Sequence, residues 1–158
     1  MTRMPAVVVL ATTGLALAGC GGSQSHTARG VAPPPSAAAK RRFAHAILRQ
    51  GRQWGDPHPT DAVVVPTTQR RALRIEYGLS HTSATPETPA YLVVAHGHFV
   101  ARGMPRPPGA ASPRGTILVL TFDAATNRSL GVALLRRAHP LARAGKPELL
   151  SPGSLGPR

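Results

Sequence analysis

Cysteine occurs once in 158 residues, at position 20. A single thiol closes no intrachain disulfide and cannot build the multi-cysteine shells that hold zinc or iron–sulfur centres. Acids are nearly as scarce: Asp56, Asp61, Glu76, Glu87, Asp123 and Glu148 stand against nineteen Lys and Arg. So small and scattered a pool argues against the paired carboxylates that cleave glycosides. Aromatic residues make up 4% of the chain, too few for the stacking platforms on which nucleic-acid strands are bound. No apolar run reaches the roughly 20 residues that a membrane-crossing helix requires. The chain also lacks G-x-S-x-G, a phosphate loop G-x-x-x-x-G-K and the dinucleotide form G-x-G-x-x-G. Stability has to come from an apolar core alone.

The one cysteine has a telling place. Met1, Thr2 and Arg3 lead into PAVVVLATTGLALA, residues 5–18, and then Gly19 and Cys20. A charged start, a short apolar core and small residues at the end describe a secretory signal peptide over 1–19. The tetrad LAGC, Leu17, Ala18, Gly19 and Cys20, resembles the lipobox of bacterial lipoproteins. That resemblance implies recognition of Leu17, Ala18 and Gly19 by the signal peptidase and cleavage between Gly19 and Cys20. It also implies a diacylglycerol thioether on the Cys20 sulfur. Two acyl chains, at about 0.8 kcal/mol per buried methylene, hold a protein on a membrane where one does so only marginally. The expected location is therefore the extracytoplasmic face of the cell membrane, with no cofactor besides the covalent lipid.

Charge bounds the partners. The formal net charge is +13, and all but two of the basic residues are arginine. With Ala, Gly, Pro and Val abundant, that arginine bias matches a high-GC bacterial genome and does not by itself mark a site. A positive surface outside the cell favours anionic lipid headgroups or anionic wall polymers. Nucleic acid, the other common partner of basic chains, is seldom met by an exported protein.

The segment from Cys20 to Pro35, small, polar and proline-rich, is expected to be a disordered tether. KPELLSPGSLGPR, residues 146–158, is expected to be a flexible tail, which leaves one domain over 36–145. Ser36 can cap a helix through AAAKRRFAHAILRQGRQW, whose Phe43, Ile47, Gly51 and Trp54 form one apolar stripe. GDPHP ends that helix. DAVVVP, residues 61–66, reads as a short strand closed by Pro66, and Thr67 or Thr68 can cap a second helix over 69–77. Residues 79–89 read as a loop, YLVVAHGHFVA over 91–101 as a strand in which Gly97 marks a bulge or a close approach by another backbone, and 102–115 as a proline-rich connector. Strands at 116–122 and 129–135 flank DAATN, where Asn127 can take the left-handed conformation.

Together these predict an α+β domain: an N-terminal helix, or two, packed on one face of an antiparallel sheet of three to four strands. From Val63 to Leu134 the order helix, glycine-interrupted strand, proline-rich loop and hairpin resembles small uncharacterised exported bacterial domains and, more loosely, PepSY-type modules. The resemblance implies a non-catalytic domain that binds or restrains a partner in the envelope, and it supplies no site residue.

Residues able to carry chemistry are few. His96 and His98, two apart on one strand, share a face and could hold zinc or copper, with Met104 as a soft third ligand for copper. Ser80, His81, Asp56 and Asp61 are the loose pieces of a hydrolytic triad without its elbow. Trp54 suits an anchor between helix and sheet better than a sugar platform. PRPPGAASP, residues 105–113, could present a polyproline II face but suffices as a connector. Asp123 fits a turn, and Asp56 a helix-terminating one. The function expected is a lipid-anchored binding or accessory module of the envelope without catalysis. The alternatives are metal binding through His96 and His98, or an unrecognised hydrolase.

Overall fold

A computed structural model describes residues 30–78, 87–103, 105–137 and 141–150. The expected leader, Cys20, most of the tether, Ser80, His81, Met104 and the last eight residues lie outside them.

Helix α1 spans Ala37–Gln53. Ser36 caps it, its Oγ accepting from the Ala39 N–H at 3.2 Å, which satisfies one of the free donors of the first turn. Phe43, Ile47, Gly51 and Trp54 are all buried, as the stripe requires. At the far end the Asp56 N–H donates to the Gly51 carbonyl at 2.8 Å. A Cβ on residue 51 would stand 2.5 Å from the Asp56 carbonyl oxygen, so only glycine lets the chain fold back this closely.

Strand β1 runs Thr60–Thr68, helix α2 Gln69–Tyr77, β2 Pro89–Val100, β3 Arg114–Asp123, β4 Ser129–Leu135 and β5 Glu148–Leu149. They form one antiparallel sheet in the order β4-β3-β2-β1-β5. Thr68 caps α2, accepting from the Arg71 N–H at 3.3 Å, and Gly78 ends it in the left-handed conformation. The β3–β4 hairpin turns through DAATN. There the Asp123 carboxylate accepts from the N–H groups of Ala125 and Thr126, and Asn127 sits at φ 53°.

The fold class is α+β as expected, and three features go beyond the expectation. The sheet has five strands rather than three or four, because Glu148–Leu149 pairs with Val63 and Val64. The packed unit therefore exceeds 36–145: Leu150 is buried, and Ala32, buried too, donates its N–H to the Thr67 carbonyl. Pro66 lies inside β1 instead of closing it. It falls beyond the two-residue reach of β5, where β1 is an edge and a missing N–H costs no ladder bond.

Both sheet faces are covered, not one. On the first, Val64, Tyr91, Val93, Leu118, Leu120 and Phe122 meet Phe43 and Ile47 of α1. The Phe43 ring lies 4.7 Å from that of Phe122 and 5.3 Å from that of Tyr91, centroid to centroid. On the second, Val65, Leu92, Val94, Ile117, Val119 and Ala133 meet Ala72 and Ile75 of α2. Ala90 to Ala95 are accordingly buried without alternation, the signature of a strand enclosed on both sides.

Candidate functional site

The end of the sheet where β2 finishes and β3 begins is shaped by a bulge. His96 pairs with Ile117 but Phe99 with Gly115, so β2 holds one residue more than β3 over this stretch. Asp56, just past α1, clamps it. One carboxylate oxygen accepts the His98 N–H at 2.7 Å and the other the His58 N–H at 2.9 Å. The Val100 N–H donates to the Trp54 carbonyl at 2.7 Å. A Cβ on Gly97 would stand 2.3 Å from an Asp56 carboxylate oxygen, which is why glycine occupies the bulge. The turn after α1 thus both ends the helix and props the strand.

Beside the bulge lies a shallow groove of about 490 Å³, lined by His98, Phe99, Val100, Arg114, Gly115, Thr116 and Arg136. Arg136 Nε donates to the Arg114 carbonyl at 3.4 Å, and the Thr116 hydroxyl to the Arg136 carbonyl at 3.3 Å, lacing the ends of β3 and β4 together. Neither Arg114 nor Arg136 makes an ion pair among the described residues. Asp56, the acid bonded to the backbone of His98, has both oxygens engaged by backbone donors. Two arginines, a histidine and a threonine thus line the groove together with the apolar Phe99 and Val100. Guanidinium forks match phosphate and carboxylate oxygens in pairs, so this lining suits a bound anion.

The two histidines part company. His98 is exposed in the groove, whereas His96 is half-buried beside a separate cavity of about 10 Å³ lined with Ile75, Val94, Ile117, Val119, Leu135 and Leu141. That cavity has room for about one water. No group of three or more His, Cys, Asp or Glu side chains is placed to hold a metal ion among the described residues. Met104, Ser80 and His81 lie outside the described residues. Asp61 accepts from the neighbouring Thr60 hydroxyl at 3.3 Å, and Asp123 serves its turn. Trp54 is buried in the core against the sheet, an anchor and not an open platform. Residues 105–111 of the proline-rich connector are exposed.

Arg114, Thr116 and Arg136 were not singled out by the sequence, where they are lost among many arginines and threonines. Glu76 was missed as well. It is 4% exposed on the inner side of α2, where one carboxyl oxygen accepts the Thr121 hydroxyl and the other has no partner among the described residues. Burial pushes its pKa up, and the Thr121 hydrogen bond offsets part of that rise. Gly131 of β4 leaves the space that the carboxyl occupies. Tyr91, pushed up by burial and by the charge of Glu148, is a core residue.

No family model matches the chain, and no curated protein and no solved structure shows significant similarity to it.

Proposed function

We propose that the chain is a lipid-anchored accessory module of the extracytoplasmic membrane face that binds phosphate-bearing anions of the envelope without catalysis. The observation that carries this reading is the groove at the β2–β3 end, where Arg114 and Arg136 stand without an acid partner among the described residues. The lipobox-like LAGC and the net charge of +13 support the location and the sign of the ligand. The Thr116 hydroxyl, which shares the groove with His98, donates to the Arg136 carbonyl rather than to the imidazole, which favours binding over catalysis. An open groove suits a segment of an extended polymer, or a headgroup at a surface, better than an enclosed metabolite.

Two sources share this chemistry: phosphodiester wall polymer and anionic phospholipid. Residues 21–158, which keep every described element without the acyl group, are tested against soluble poly(glycerol phosphate) and against vesicles of phosphatidylglycerol in phosphatidylcholine. Binding to either, weakening steeply with added salt and lost on Arg114→Ala with Arg136→Ala, supports the reading and tells the source. Indifference of both arms to the paired substitution contradicts it.

A further inference from the structure

The two edges of the sheet are treated very differently. On one side β1 is screened by β5, two residues long, preceded by Pro147 and with Glu148 held 2.9 Å from the Lys40 ammonium. Short, charged, proline-flanked edges resist further pairing. On the other side β4, SLGVALL, runs seven residues with no charge and no proline. Among the described residues it pairs with β3 alone. Half of its N–H and C=O groups therefore point away from the sheet without a strand to meet. Leu130, skipped between the Ser129 and Gly131 pairings, forms a bulge and is 46% exposed, so the regular edge is the five residues 131–135.

The charges around this edge select an occupant. Arg128 precedes β4, Arg136 and Arg137 follow it, and all three are exposed. A second copy is a poor fit, because antiparallel pairing of two β4 strands sets Arg128 against Arg136 and Arg137, and parallel pairing sets like against like. The chain also has little acid to offer. Glu76 is buried, Glu87 pairs with Arg70, Glu148 with Lys40, and Asp56 and Asp123 hold backbone N–H groups. We propose that the outer edge of β4 receives an extended segment of a different protein, apolar or β-branched over about five residues and acidic at both ends, as a sixth strand. Main-chain hydrogen bonds supply the affinity in such strand addition, and the flanking charges supply the choice of partner. This surface is separate from the anion groove in all but Arg136, and it stands or falls without it.

The test uses the full chain in non-ionic micelles and a labelled peptide, Asp-Glu-Val-Thr-Val-Thr-Val-Glu-Asp, followed by fluorescence anisotropy. Expected are binding, loss of binding when alternate peptide nitrogens are methylated, and about five- to tenfold weaker binding for the same peptide with lysine flanks. Arg128→Glu with Arg137→Glu reverses the preference between the two flanks, while Arg41→Ala, on the exposed side of α1, leaves it unchanged. Far-ultraviolet circular dichroism verifies that each variant keeps its fold. Equal binding of the methylated peptide, no binding, a peptide-free dimer cross-linked through β4, or binding that appears only after removal of residues 151–158 each overturns the proposal.

Discussion

The Asp56 carboxylate accepts the backbone N–H of His98 at 2.7 Å, joining the turn after α1 to the bulge of β2. One acid thereby fixes the shape of the groove from behind without touching what the groove would bind. Asp56→Ala leaves two N–H donors without their acceptor and is expected to cost about 2 kcal/mol of stability. Asp56→Asn keeps one acceptor oxygen and should cost less. Urea midpoints rank the three proteins, and faster amide exchange at His98 locates the loss.

Gly97→Ala tests the same contact by bulk. Its Cβ would overlap the carboxylate and also stand 2.7 Å from the Phe99 ring, so the bulge has to shift. Overpacking of this kind costs about 1–3 kcal/mol. Thermal melts check the destabilisation, and anion binding should weaken with it because His98 moves.

Glu76 sets a pH dependence with a definite sign. Its folded pKa is raised above the unfolded value of about 4.5, so the folded state holds this proton more tightly. The stabilisation linked to that proton is complete below the unfolded pKa and is lost as pH rises through the folded one. Glu76→Gln removes the titration. The stability of the variant relative to wild type should therefore climb from pH 4 towards alkaline pH, read from denaturant midpoints across the series. A constant difference would mean that the carboxyl does not titrate in this window.

Phe43 packs on both Tyr91 and Phe122 and is fully buried. Phe43→Ala should cost about 3–5 kcal/mol. Phe43→Leu should cost less, by chemical denaturation. Comparable loss in Ile75→Ala, on the opposite sheet face, would agree with a single cooperative domain closed by both helices.

Elements whose signals are local were legible in the sequence. Ser36 with the Phe43–Ile47–Gly51–Trp54 stripe marks α1, Thr68 and Gly78 bracket α2, and DAATN turns the hairpin. What escaped was non-local. Two residues of β5 carry no pattern of their own and become a strand only because β1 offers an edge. The unbroken YLVVA of β2 holds the signal that both faces are covered, where the expectation had only one face covered. The groove joins His98, Arg114 and Arg136 through strand register across a bulge, which no spacing along the chain reveals. Glu76 was legible in principle, since Ala72, Ile75 and Glu76 recur at helical spacing on one buried face.

The proposed lipid anchor has its own test. Material extracted from the membrane should begin at Cys20 and carry diacylglycerol, and Cys20→Ser should keep its leader and gain no lipid. Intact-mass spectrometry distinguishes these products.

Net charge alone could draw a protein of +13 to any polyanion, so the sharpest measurement separates place from amount. Calorimetric titration with poly(glycerol phosphate) compares wild type with two variants that each lose two charges. One carries Arg114→Ala and Arg136→Ala in the groove, the other Arg41→Ala and Arg42→Ala on the exposed side of α1. A groove that grips phosphate loses on the order of tenfold or more in affinity from the first pair and little from the second. Equal losses from both pairs would contradict a localised site and leave only a diffuse positive surface.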